Sequence, residues 1–142
     1  MSSLFPQLFR RTFPEIIMTN RFTHDCRNGW KKELNYAFVH GFRFDVAIYR
    51  SRGDIEMLPE YAALIGKLLA LKRSYARYFY DSDSRYVCDT VLSVPSGIRY
   101  AEYKRGNEKL FVFSNENEED VTLCVDGVCV TVPAMGVACA ER

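Results

Sequence analysis

The stretch Val121-Thr-Leu-Cys-Val-Asp-Gly-Val-Cys-Val-Thr-Val132 contains the strongest structural signal in this chain of 142 residues. Asp126-Gly127 at its centre predicts a two-residue hairpin turn, because both positions accept a positive φ. One face of the predicted hairpin is Val and Leu, and the other is Thr and Cys. Counting outward from the turn, the predicted pairs are Val125 with Val128, Cys124 with Cys129, Leu123 with Val130, Thr122 with Thr131, and Val121 with Val132.

This register places Cys124 directly opposite Cys129, close enough for a disulfide. The alternative is that both residues are small, partly buried thiols. The five cysteines show no C-x-x-C spacing, and the first 13 residues lack the features of a secretory signal. We therefore favour free thiols in a cytoplasmic, reducing location, and we expect no metal site and no cofactor.

Other short strands surround the hairpin, with turn residues between them. This spacing predicts an antiparallel sandwich or a small barrel. The predicted strands are 86–94, 98–104, 109–114, 120–125, 128–132 and 136–140.

The first half of the chain alternates between strands and helices. Residues 14–20 form an apolar run that predicts a buried strand, followed by a polar loop over 21–25. Residues 42–49 alternate between apolar and polar, which predicts a second strand. Two such βα units call for a parallel sheet with helices on its faces.

Each predicted strand is followed by a helix. Residues 26–40 carry apolar residues at helical spacing, with Asp25 or Asn28 as caps and Gly41 beyond the end. His40 lies in the last turn, where a positive imidazole suits the helix dipole. The second helix, 59–80, begins at Pro59.

Charge divides the chain in two. Residues 1–80 hold 13 basic and 7 acidic side chains, and residues 81–142 hold 6 and 11. The linker Asp81-Ser-Asp-Ser84 lies at the change of sign, so we predict an α/β segment over 1–80 and a sandwich over 81–142. The net charge of +1 and the short apolar runs predict binding to neither nucleic acid nor membrane.

Three stretches of the first half resemble the last two βα units of a (β/α)8 barrel. They are Leu8-Phe-Arg-Arg-Thr-Phe-Pro-Glu15, Met18-Thr-Asn-Arg21 and Tyr36-Ala-Phe-Val-His-Gly-Phe-Arg-Phe-Asp45. The similarity is to bacterial glycoside-hydrolase-like proteins whose barrel precedes a C-terminal β-sandwich, and residues 99–139 resemble that sandwich. The resemblance implies an α+β fold: two βα units of a truncated (β/α)8 barrel followed by a small antiparallel β-sandwich.

Catalytic residues are not assigned. The resemblance implies catalytic acids on the middle barrel strands, and this sequence has only two of the eight strands. It also offers no convincing carboxylate pair for glycoside hydrolysis. A calcium site among Asp45, Asp54, Glu56 and Glu60 is excluded by their spacing.

In the barrel interpretation, five residues near the carboxyl ends of the two strands would contact sugar hydroxyls. Trp30 or Tyr49 would supply a stacking surface. The alternatives are a helix cap and surface ion pair for Arg21 and Asp25, a solvated loop for His24, and a structural pair for Arg43 and Asp45. The five candidate substrate-binding residues are Arg21, His24, Asp25, Arg43 and Asp45.

The predicted function is that of the C-terminal fragment of a carbohydrate-active, glycoside-hydrolase-like protein that is not catalytically competent alone. The expected partners are a carbohydrate and either the missing barrel segment or a second copy of the chain. The alternative is a self-contained α+β binding or interaction module without enzymatic activity. An orphaned βα segment would expose sheet edges and self-associate, which distinguishes the two.

Overall fold

A parallel β-α-β unit comes first in the computed structural model, which describes residues 12–13, 16–24, 29–48, 53–87 and 92–142, with the backbone alone for 20–24. Strand β1 (Thr19–His24) is followed by helix α1 (Trp30–Val39) and strand β2 (Arg43–Ile48). The two strands pair in parallel over six residues, from Thr19 opposite Arg43 to His24 opposite Ile48. The predicted β-α-β order is confirmed.

The predicted bounds of the first strand are wrong. The strand begins at Thr19, and residues 21–24, predicted as a polar loop, belong to it. The apolar run before it is instead exposed, with Ile16 at 41% and Ile17 at 75%. Pairing with β2 decides which residues are extended here, and the local apolar pattern does not contain that information.

Helix α1 has no side-chain cap at its start. Gly29 occupies the N-cap position with φ 112°, and the predicted caps Asp25 and Asn28 lie outside the described residues. Leu34 and Phe38 are fully buried, which confirms the predicted apolar face. Gly41 follows the helix with φ 69°, a conformation that favours glycine.

The second helical region begins at Pro59, as predicted, after a 3-10 turn over Ile55–Met57. It is interrupted at Tyr75, which separates helix α2 (Pro59–Ser74) from the single turn of helix α3 (Ala76–Phe79).

The rest of the described chain is antiparallel. Its strands are β3 (Ser84–Val87), β4 (Ile98–Arg105), β5 (Glu108–Asn115), β6 (Val121–Val125), β7 (Val128–Val132) and β8 (Val137–Glu141). One sheet has four strands in the order β3-β4-β5-β8, and β6 and β7 form a separate pair. The predicted bounds of the strand 86–94 are wrong: β3 starts at Ser84, residues 92–94 lie in no strand, and residues 88–91 lie outside the described part.

Strand β5 lies between two hydrophobic cores. Leu110 and Val112 belong to the core shared with the helices, which we call the helix-side core. Phe111 and Phe113 belong to the core shared with the β6–β7 hairpin, which we call the hairpin-side core. All four are fully buried, because successive side chains of a strand point to opposite faces. Around β5 the layers are therefore helices, four-stranded sheet and hairpin, and the parallel β1–β2 pair contacts helix α1. The architecture is an α+β fold with a mostly antiparallel sheet.

The β6–β7 hairpin has the predicted register in all five pairs. Asp126 and Gly127 adopt φ values of 50° and 82° at its turn. Cys124 and Cys129 form a disulfide, with their Cα atoms 4.0 Å apart. The preference for free thiols is therefore wrong, because direct cross-strand pairing brings the two residues together whatever the rest of the chain suggests about compartment.

Hydrogen bonds tie the helices to the sheet. The Tyr103 hydroxyl donates to the Val39 carbonyl at 2.8 Å, and the Asn35 amide donates to the Met135 carbonyl at 2.8 Å. These bonds, like the helix-side core, join residues of both predicted segments. The division of the chain at residue 80 stays a prediction.

Candidate functional site

The parallel pair β1–β2 carries most of the predicted site residues. Parallel strands bring their carboxyl ends to the same edge, here at His24 and Ile48. Arg21 and His24 lie within β1, whereas the sequence placed them in a loop after it. Asp25 and Tyr49 lie outside the described residues.

The register brings Arg21 and Asp45 together as direct backbone partners on adjacent strands. Arg43 lies two residues before Asp45 on β2 and is paired with Thr19. Thr19, Arg21, Arg43 and Asp45 thus occupy neighbouring positions of a single row, which we call the polar row. His24 is paired with Ile48, three positions beyond Arg21, and falls in the alternate row.

The alternate row of β2 faces the core. Phe44 and Val46 pack against the helix-side core, while Arg43 is exposed and Asp45 is half-buried. The apolar–polar alternation predicted for this strand is confirmed. Asp45 is the only acidic residue within the described strands β1 and β2, so these strands contain no carboxylate pair of the kind that glycoside hydrolysis requires.

Trp30 packs against helix α2. Its ring meets Tyr61 edge to face, with the ring centroids 5.2 Å apart, and the Lys31 ammonium lies 5.3 Å from its centroid. Burial, with a further contribution from the negative charge of Glu33, raises the pKa of Tyr61, so this ring is neutral at physiological pH. These contacts give Trp30 a packing role in joining α1 to α2.

Lys72 of helix α2 is hydrogen-bonded to the backbone just before the start of β2. Its ammonium donates to the Phe42 carbonyl at 3.0 Å and to the Gly41 carbonyl at 3.4 Å, and the residue is 5% exposed. Such charge-assisted bonds fix the chain just before Arg43 and hence the start of the polar row. The same ammonium lies 5.5–5.8 Å from three ring centroids, those of Phe44, Phe79 and Tyr80.

Lys72 was not among the predicted site residues, because a lysine in a helix is normally expected on the solvent side. The signal was present in the spacing of the buried stripe, whose other members are Tyr61, Ile65 and Leu68. Steps of four, three and four residues lead along this stripe to position 72, which is the period of one helix face.

His40 is the C-cap residue of α1, at the predicted end of the helix, but its burial was not predicted. It is 1% exposed, and its Nδ1 lies 2.7 Å from the Tyr86 hydroxyl of β3. Its ring also meets Tyr36 edge to face, with the centroids 4.4 Å apart. The imidazole therefore joins α1 to the four-stranded sheet, and no local pattern indicated this contact across 46 positions of sequence.

Glu102 is the buried acid of the four-stranded sheet, with its side chain 1% exposed. The ammonium groups of Lys104 and Lys109 each lie 3.8 Å from its Oε1. These two cations compensate the burial of a carboxylate that would otherwise be costly.

Within the described residues, no group of three or more potential ligands is arranged to hold a metal ion. Of the described helices, none has the length and apolar character needed to cross a membrane.

Comparison with known proteins returns one kind of likeness, that of the fold. No family model matches the chain, and no curated protein matches it. Among solved structures, the chain is similar to a GH30 endoxylanase from Clostridium papyrosolvens C71, with a TM-score of 0.53 and 10% sequence identity. The similarity covers 96% of this chain and 44% of the endoxylanase chain, so this chain spans less than half the length of that structure.

Proposed function

We propose that this chain is the C-terminal portion of a carbohydrate-active, glycoside-hydrolase-like protein and that it has no glycosidase activity by itself. The observation that carries the proposal is the structural likeness to an endoxylanase over 96% of this chain. At 10% identity that likeness concerns the fold alone, so the activity is our inference.

The proposal includes the finer interpretation of the fold, in which β1-α1 and β2-α2 are two βα units of a truncated (β/α)8 barrel. The parallel pairing of β1 with β2, each followed by a helix, supports this interpretation. Parallel sheets are normally wide and covered on both faces. Among the described strands, β1 and β2 pair only with each other, so each has an edge where a further parallel strand would fit.

The proposed contacts with sugar come from the polar row. Arg21 and Arg43 supply guanidinium donors, and Asp45 supplies acceptors, a combination that suits the paired hydroxyls of a sugar. His24, in the alternate row, lies at the carboxyl edge of the pair, where barrel proteins bind their substrates. With Asp45 as the sole carboxylate of this pair of strands, the expected role is to bind and orient sugar rather than to cleave a glycosidic bond.

The test is calorimetric titration of the full chain with a β-1,4-linked xylo-oligosaccharide, in parallel with an assay on a chromogenic xyloside. We expect saturable binding and no turnover. Arg43→Ala and Asp45→Ala should each weaken binding about tenfold to hundredfold, the value of a hydrogen bond to a charged group. Lys67→Ala on the exposed side of helix α2 is the matched control and should bind as the parent does. Absence of binding, or equal affinity in all four proteins, would contradict the sugar site, and robust turnover would contradict the inactive role.

A second candidate is a self-contained α+β binding or interaction module without enzymatic activity. The observation that favours it is the helix-side core, which joins α1 and α2 to the sheet through Phe38, Leu68 and Tyr103. Gel filtration with light scattering and a thermal melt separate the two candidates. A monodisperse monomer that melts cooperatively and binds no sugar favours the self-contained module, whereas self-association through the open edges of β1 and β2 favours the barrel segment.

A further inference from the structure

The two bridged cysteines lie on the outer face of the β6–β7 hairpin. Cys124 and Cys129 are both exposed, as are the neighbouring Thr122 and Thr131, whereas Leu123 packs into the hairpin-side core. Strand alternation explains this arrangement, because residues two apart share a face. The sulfur atoms are therefore open to attack by a thiol from solution without any movement of the core.

We propose that Cys124 and Cys129 form a reversible thiol–disulfide site, which an external dithiol reduces and an external low-molecular-weight disulfide re-forms by the reverse exchange, while the rest of the chain stays folded. This inference is independent of the proposed carbohydrate function, since it rests on the hairpin alone.

The hairpin has other interactions that keep it closed after reduction. The Thr122 and Thr131 hydroxyls are hydrogen-bonded to each other at 2.8 Å, two pairs away from the bridge on the same face. At the turn, the Asp126 carboxylate forms ion pairs at 3.1 Å with both Lys109 and Arg142, which anchor the tip to β5 and the chain end. The two thiols would thus remain opposite each other, so re-oxidation requires no conformational search.

The bridge also closes only a short loop, since the two cysteines are 5 positions apart in sequence. Because the stabilisation that a disulfide provides grows with the length of the loop it closes, this one contributes little compared with a long-range bridge. Its loss is therefore compatible with a folded chain.

The chemistry balances as a two-electron exchange. A thiolate of the dithiol attacks one cysteine sulfur and forms a mixed disulfide, and the other cysteine leaves as a thiolate that takes up a proton. The second thiol of the reductant then displaces the first cysteine. The protein gains two thiols, and the dithiol becomes a cyclic or bridged disulfide.

Cys139, the other cysteine in the described residues, does not take part in the exchange. It lies on β8 opposite Val112 and packs against the helix-side core, across the sheet from the hairpin. Burial raises the pKa of its thiol to about 12, so it is not a thiolate at neutral pH.

Differential alkylation with peptide mapping tests the proposal on the full chain. No Lys or Arg occurs between Lys109 and Arg142, so trypsin releases Leu110–Arg142 as one peptide that contains Cys124, Cys129 and Cys139. From protein purified without reductant, this peptide should carry one intramolecular disulfide and a single alkylation, at Cys139, after denaturation. After dithiothreitol it should be alkylated at all three cysteines.

Melting and circular dichroism then show whether the fold survives. Reduction should leave the spectrum unchanged and lower the melting temperature by about 5–10 °C. Transfer to buffer that contains oxidised glutathione, which is reduced to two thiols in the exchange, should restore the Cys124–Cys129 bridge at a rate independent of protein concentration. The double variant Cys124→Ser/Cys129→Ser should melt at the temperature of the reduced parent, and dithiothreitol should not change that temperature. Dithiothreitol should lower the melting temperature of Cys139→Ser as it does that of the parent.

Three results would overturn the proposal. They are two free thiols in the oxidised protein, loss of the cooperative melt on reduction, and re-oxidation that pairs either residue with another cysteine.

Discussion

The Tyr103→Phe substitution probes the connection between the helices and the four-stranded sheet. The Tyr103 hydroxyl donates to the carbonyl of Val39, the last residue of α1. The final carbonyls of a helix have no partner within the helix, so this one would be left buried without its donor. The Phe ring keeps the packing against Phe79 and Tyr86, whose centroids lie 4.9 and 5.6 Å from that of Tyr103, and the change therefore isolates the hydroxyl.

We expect the free energy of unfolding to fall by about 1–3 kcal/mol, the penalty for a buried carbonyl that loses its donor. With an m-value of about 2 kcal/mol/M, the urea midpoint should fall by about 0.5–1.5 M while m stays constant. Urea titration followed by circular dichroism measures both. Tyr80→Phe is the matched control, because Tyr80 is 61% exposed and its hydroxyl should be worth less than about 0.5 kcal/mol. Equal midpoints for the two variants would refute the reasoning.

Three further predictions concern single side chains. Lys72→Met should lower the free energy of unfolding by about 1–3 kcal/mol in a urea titration, because it removes the buried donor to two carbonyls. Lys67→Met is the control and should change that free energy by less than about 0.5 kcal/mol, because Lys67 is exposed. Gly66→Ala should raise the melting temperature, with a gain of about 0.5–1 kcal/mol, because position 66 lies inside helix α2 and a methyl group added there would meet no atom within 4 Å; a lower melting temperature would contradict this. The hydrogen bond from Lys109 lowers the pKa of Asp126. The stabilising effect of the Asp126 carboxylate should therefore be present above about pH 4 and disappear as the pH falls through the lowered pKa. NMR titration of Lys109→Met should show the pKa of Asp126 rising towards its ordinary value.

Sequence patterns predicted the elements whose geometry is local. The hairpin register follows from Asp126-Gly127, because a two-residue turn permits only one pairing of its flanking residues. The start of α2 follows from Pro59, whose fixed φ suits the first helical turn. In the candidate site, the alternation of β2 identified Arg43 and Asp45 as residues of its polar side.

Other features of the candidate site depended on contacts between distant segments. The bounds of β1 were wrong because parallel pairing with β2, and not the apolar run at Ile16 and Ile17, selects the extended residues. The pairing also places His24 in the alternate row, apart from Arg21 and Asp45. The reason is that His24 lies inside β1, an odd number of residues from Arg21, so the two positions fall on opposite faces of the strand.

The sequence by itself determined the β-α-β order, the hairpin register and the apolar face of α1, since each depends on turn chemistry or on periodicity within one element. Only the tertiary structure decided that Lys72 is buried against the start of β2 and that His40 contacts Tyr86. The physical reason is that burial of a polar group is favourable only where its partners arrive from elsewhere in the chain, and single-element patterns do not specify those partners.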